Sequence, residues 1–471
     1  MTTRILPHPH ATARATTRAT TRTPTRATTI GLTLAFAFAL ALLPVATTRP
    51  AAAQGLSDVE RRIAEHIDAH AEEAVALLER IVNINSGTMN PAGNKAVADV
   101  LEVEFRKLGF DVRWAPLPPE TGRGGHLVAE REGRRGRRIL LIGHLDTVFE
   151  EDSPFQRFER SGHVAKGPGV VDMKGGDVVI LQALQALHAA GALEDATIRV
   201  ILTGDEESPG EPLDVARREL IELAKRSDVA LGFESGTSDR GTDYAVVARR
   251  SSSEWRLKVK GRRAHSSGIF SPGVGAGAIF EAARILNRFY EEVRGEEYLT
   301  FNPGVILGGS DVEIDFDLSG GTAFGKTNVV AETVVVSGGI RTISQEQLER
   351  ARAKMRAIVA ESLPGTSAEI EFFDGYPAMS PTEANHALLE MYDRASRDLG
   401  YGPVVAFDPA RRGAADISFA APHVQASLGG LGPVGAGSHT VEETLDLRTM
   451  PKAAKRAAIL IYRLTRENPA F

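Results

Sequence analysis

The sequence predicts an α/β protein with a smaller two-layer domain inserted in its middle. Three observations predict it. The apolar runs "ILLI" (139–142), "TIRVILTG" (197–204) and "VALGF" (229–233) alternate with helical patterns in the first half. Near residue 252 the pattern switches to "SEWRLKVKG", apolar at every second position as in a half-exposed strand. After about residue 375 the first pattern resumes. Buried runs alternating with helices imply a mostly parallel sheet covered on both faces.

The elements follow in chain order. Residues 1–53 carry arginines but no acid, then the apolar run "IGLTLAFAFALALLPVA", then "RPAAAQ". A basic region, a short apolar core and a small-residue site describe a secretory signal peptide, cleaved after Ala53. The expected location is therefore secreted or periplasmic. No stable membrane span remains after cleavage, because a span needs roughly 20 apolar residues. An uncleaved anchor is the alternative. Cleavage removes six arginines and moves the formal net charge from −6 to −12, which argues against nucleic acid as a partner. The chain has no cysteine, so disulfides, thiol nucleophiles and zinc-thiolate sites are excluded.

Ser57 and Glu60 form a capping box that opens a helix over 57–82, with Ile63, Ile67, Leu77, Leu78 and Ile81 on its apolar stripe. A helix at 94–108 stops at Gly109, and another at 177–190 ends at Gly191. In the insert, a strand from 252 is followed by a helix near 275–290 and strands near 303–307 and 328–337. A helix at 345–362, capped by Ser344 and Gln347, and a strand at 368–373 complete it. That order, βαββαβ, is a ferredoxin-like sandwich. Pro451 opens a closing helix. The expected organisation is a signal peptide (1–53), a first catalytic segment (54–251), the insert (252–374) and a second catalytic segment (375–471).

Chemistry-bearing residues gather where strands give way to loops: "GHLDTVF" (143–149), "GPGVVDMKGG" (167–176), "TGDEESPG" (203–210) and "GFESG" (232–236). The C-terminal edges of strands are where open α/β sheets bind ligands. A fifth segment, "GAGSHT" (435–440), is a glycine-rich loop. His144 can offer a ring nitrogen with Asp146 two positions on, behind it, fixing its tautomer. Glu206 and Glu207 are adjacent, so one can ligate a metal while the other holds a water. His144, Asp172, Glu207, Glu234 and His439 would hold two cations if one carboxylate bridges. Two histidines and three carboxylates without sulfur suit zinc.

Together and in this order, these segments resemble the family of co-catalytic zinc exopeptidases and deacylases, closest to its glutamate carboxypeptidases. The likeness spans about residues 57–465 and implies a zinc-exopeptidase-like catalytic domain with two Zn²⁺ per subunit. It implies His144 on the first zinc with Asp146 as its orienting partner, Asp172 as the bridging carboxylate before a cis peptide bond, and Glu206 as general base. Glu207 and His439 then serve one zinc, and Glu234 the zinc that His144 binds. The insert resembles the family's lid, which often also makes a dimer contact and so implies a homodimer. His265, in "GRRAHSSG", resembles the lid histidine that stabilises the reacting carbonyl, often from the partner subunit. Asn328 and Arg341 resemble the lid residues that hold the substrate's free carboxylate. The loop "RRGAADIS" (411–418) replaces a more glycine-rich stretch that shapes the substrate pocket.

The function expected is a carboxypeptidase that cleaves a small peptide and releases C-terminal glutamate. An N-acyl amino acid deacylase is the alternative, and a non-catalytic binding protein on the same scaffold a third. His126, His163, His188 and His423 read as structural. "GLGPVGAG" is no phosphate cradle, because no lysine and helix start follow it.

Overall fold

The computed structural model describes residues 55–316 and 320–466. The segment expected to be a signal peptide (1–53) lies outside the described residues. Among the described residues, no helix is long and apolar enough to cross a membrane.

The principal sheet has six strands. Their order is Asp111–Pro116, Gly125–Arg131, Ala196–Thr203, Arg135–His144, Val229–Gly232 and Ala426–Leu428. The last four run parallel to one another, as expected of strands whose apolar runs are buried on both faces. The first two were not anticipated; they pair antiparallel, so one edge departs from the parallel pattern, and the outer strand Asp111–Pro116 is half-exposed while Gly125–Arg131 is mostly buried. Helices Lys174–Ala189 and Thr449–Arg466 bury their apolar faces in the larger core, with Leu184, Leu187, Leu460 and Leu464 fully enclosed.

The expected helix over 57–82 is two helices, Asp58–Ala69 and Ala71–Val82. His70 breaks them at φ −110°, ψ 20°, outside helical geometry. The apolar stripe is compatible with either arrangement, because both halves keep the same face inward. The Ser57–Glu60 capping box forms as read.

The insert is a four-stranded antiparallel sheet in the order Thr300–Gly309, Thr333–Arg341, Ser252–Lys260, Ser367–Tyr376. Helices Ala278–Arg288 and Gln345–Ala360 enclose a second core built on Trp255, Leu257, Phe289, Val336 and Met355. This is the βαββαβ order, with a hairpin, Asp311–Asp315 and Gly320–Phe324, added after the second strand. The strand expected at 328–337 starts at Thr333, and the last strand runs on to Tyr376, two residues past the expected boundary.

Candidate active site

Strand register builds the site. Arg135–His144 pairs with both parallel neighbours, and His144 stands opposite Thr203 while Ile142 stands opposite Gly232. The three chains therefore leave the sheet on one rim. They deliver His144, the 205–207 loop and Glu234 side by side. Asp172 arrives on a loop that ends in a cis Asp172–Met173 peptide and enters the helix Lys174–Ala189. Gly176 lets that helix approach, because a Cβ there would lie 2.1 Å from the Phe233 carbonyl. His439 comes from the far end of the chain, in the left-handed region at φ 64°, which a non-glycine residue adopts at a cost.

Asp172 faces both histidines. Its Oδ1 lies 3.5 Å from His144 Nε2, and its Oδ2 lies 3.2 Å from His439 Nε2. Glu234 Oε1 is 3.6 Å from His144 Nε2, and Glu207 Oε2 is 3.1 Å from His439 Nε2. Ligand atoms of His144, Asp172 and Glu207 lie within 4.8 Å of one another, as do those of His144, Glu206 and Glu234. His144 Nε2 is buried without a hydrogen-bond partner. A shielded ring nitrogen with carboxylates converging on it fits a cation between them, and the shared Asp172 fits two. The structure thus brings His144, Asp172, Glu206, Glu207, Glu234 and His439 into one cluster.

The electrostatics agree. Burial, reinforced by Glu234, pushes the Glu206 carboxyl well above the usual carboxylate range. Against the cost of its own burial, the adjacent His144 and His439 rings hold Asp172 well below that range. Asp172 first and Glu207 second raise His439 to about 10. In the metal-free chain the histidine protons supply the positive charge the carboxylates demand.

Asp146 lies against the Nδ1 side of the His144 ring, as expected, but a loop and not the strand pleat puts it there, because the strand ends at His144. The nearer partner of His144 Nδ1 is the Asp146 backbone carbonyl at 3.1 Å, with Oδ1 at 3.4 Å. The buried carboxylate also accepts from the Glu206 N–H (3.0 Å), the Glu207 N–H (3.1 Å) and the Thr88 hydroxyl (2.6 Å). It locks the base loop as well as the histidine.

Three expected residues lie on the insert, without a hydrogen bond or ion pair to this cluster among the described residues. His265 is exposed, with its Nδ1 2.8 Å from Ser267 Oγ. Asn328 is its neighbour, since the Ser266 N–H donates to the Asn328 carbonyl and His265 bridges Val329. Arg341 is exposed at the other end of a nine-residue strand that begins at Thr333. Nine extended residues span about 30 Å, so Asn328 and Arg341 cannot clamp one carboxylate within a single chain.

Sequence reasoning missed Glu443. Its buried carboxylate accepts from the N–H groups of Gly169 (3.1 Å), Val171 (2.9 Å) and Asp172 (3.0 Å). It staples the His439 loop to the Asp172 loop. The only sequence signal was an acid four residues after His439, beside another acid.

A family model for peptidase family M20/M25/M40 matches residues 140–463. The chain belongs to that family. This M20 protein is 26% identical over 398 residues to carboxypeptidase G2 of Pseudomonas sp. (strain RS-16), covering 83% of this chain and 89% of that relative. It is 29% identical over 300 residues to a succinyl-diaminopimelate desuccinylase of Cupriavidus necator, covering 60% and 73% of the two chains. The solved YXEP protein of Bacillus subtilis, a dinuclear metal-binding peptidase of the M20 family, shares its fold with a TM-score of 0.58. Identity there is 15%, over 84% of this chain and 99% of that one. The M20 chain is accordingly a metal-dependent hydrolase of the metallopeptidase class.

Proposed function

We propose that the protein is an exported di-zinc exopeptidase that hydrolyses an amide bond beside a free carboxylate and releases C-terminal glutamate. The observation that carries the reading is Asp172 shared between two histidines, with the Glu206 carboxyl grouped with His144 and Glu234 beside them. The donor set of imidazoles and carboxylates suits zinc. Zinc held there would polarise the amide carbonyl and make water a better nucleophile near neutral pH.

The chain's own groups do the rest. Glu206 takes the proton of the attacking water and returns it to the leaving nitrogen. Its raised proton affinity, from burial and Glu234, suits a group that must hold a proton between two steps. Asp146 keeps His144 and the Glu206 backbone in register. His265 and Asn328 share one rim of the insert and would meet the substrate from the partner's lid in a homodimer. The exposed Phe270, Ile279, Phe280 and Ile306 support such a contact.

The carboxypeptidase G2 relative supports glutamate as the released residue. The desuccinylase relative favours the second reading, an N-acyl amino acid deacylase. A panel of L-alanyl dipeptides and N-acetyl amino acids separates them. Preferential release of C-terminal glutamate supports the first, and about tenfold faster turnover of N-acetyl amino acids overturns it. Export is tested by the N-terminal sequence of the mature product, which should begin at Gln54.

A further inference from the structure

The Glu206 backbone is gripped at both of its polar groups. Its N–H donates to Asp146 Oδ1 at 3.0 Å, and its carbonyl accepts from the Tyr376 hydroxyl at 3.1 Å. The first grip comes from the loop that follows the strand Arg135–His144. The second comes from the last residue of the strand Ser367–Tyr376, where the chain leaves the insert.

The Tyr376 hydroxyl is itself aimed by Arg217, which is fully buried. Arg217 Nη2 donates to the Tyr376 hydroxyl oxygen at 2.9 Å and to the Asp205 carbonyl at 3.0 Å. Its Nη1 donates to Asp205 Oδ1 at 2.7 Å and its Nε to Asp416 Oδ1 at 2.7 Å. The other oxygen of Asp416 accepts from the Thr203 hydroxyl at 2.7 Å. One guanidinium therefore joins the end of a sheet strand, the base loop, the pocket loop and the exit of the insert. Because Arg217 occupies the phenol oxygen as donor, the phenol hydrogen is left for the Glu206 carbonyl. The ring is held edge-on against Phe419, with centroids 4.9 Å apart.

We propose that Tyr376 is a positioning residue for Glu206: its hydroxyl, oriented by Arg217, fixes the Glu206 peptide and ties the aim of the base to the end of the insert. The proposal rests on the reading of Glu206 as general base. A tyrosine that merely fills space would need its ring and not its hydroxyl.

Tyr376→Phe keeps the ring and removes the grip. The expected result is a kcat on L-alanyl-L-glutamate lower by roughly 10- to 100-fold, the scale of a misplaced reacting group. KM and the content of divalent ions should match the parent, and a crystal structure should show the Glu206 carboxylate displaced. The proposal is overturned by a kcat within about twofold of the parent, by loss of ions or a KM rise that accounts for the defect, or by an unmoved Glu206. If the parent turns over neither L-alanyl-L-glutamate nor N-acetyl-L-glutamate, the proposed function fails. The Tyr376→Phe crystal structure then decides this proposal alone.

Discussion

Glu443→Gln tests how the two halves of the site are held at their spacing. Glu443 accepts three backbone N–H groups from the Asp172 loop, two at Oε1 and one at Oε2. A glutamine keeps one acceptor oxygen and turns an amide N–H against a backbone N–H. At least one hydrogen bond to a charged group is lost, worth about 1.5–3 kcal/mol. The strain falls on the spacing between Asp172, which both half-sites share, and His439, which with Glu207 completes only one of them. Expressed wholly there, the loss weakens one ion by roughly 10- to 150-fold and leaves the ion at His144 and Glu234 much less affected. Metal content measured across a graded series of chelator concentrations reads this directly. The parent should lose its ions over a narrower range than the variant, which should pass through a one-ion plateau. Ion release from the variant that superimposes on the parent's would refute the reasoning, as would simultaneous loss of both ions.

Other outcomes follow from the same geometry. Glu206→Gln should retain both ions and lower kcat by about 10²–10⁴-fold, the usual contribution of a general base, in steady-state kinetics on the dipeptide. Ion affinity should rise with pH. His439 is raised to about 10 by Asp172 and Glu207, so its protonated pairing stabilises the metal-free chain fully below the ordinary value of 6.5 and is lost as pH rises through about 10. A divalent ion must displace that proton, and calorimetry in buffers of different ionisation enthalpy should register its release at neutral pH. Gly176→Ala should destabilise the fold by about 1–3 kcal/mol in denaturant unfolding, because the added Cβ meets the Phe233 backbone carbonyl, which cannot swing aside.

Much of the site was legible because strands announce their endings. His144 and Glu234 follow apolar runs at fixed offsets, and the parallel register then fixes them on one rim. The adjacent Glu206 and Glu207 read as one ligand and one water-holding group, and only the family resemblance implied which was which. Asp146 was placed beside His144 by strand periodicity, which reached the right neighbour although the strand itself stops at His144. Asp146 lies in a loop, and its carboxylate is shared with the 206–207 backbone. Glu443 was illegible. Its partners are backbone N–H groups more than 270 positions away, and main-chain donors leave no trace in side-chain identity. The same holds for Tyr376, whose role depends on a carbonyl. Arg341 was read only from the family resemblance, and the strand length carries it away from Asn328. The edge strand Asp111–Pro116 and its neighbour Gly125–Arg131 were missed because their polar ends hide the apolar pattern.

The most direct measurement is a crystal structure of the zinc-loaded protein with anomalous data collected at the zinc edge. Two peaks should appear on either side of the Asp172 carboxylate, one ligated by His144 and Glu234, the other by Glu207 and His439. A single peak, or ions bound away from Asp172, would contradict the account.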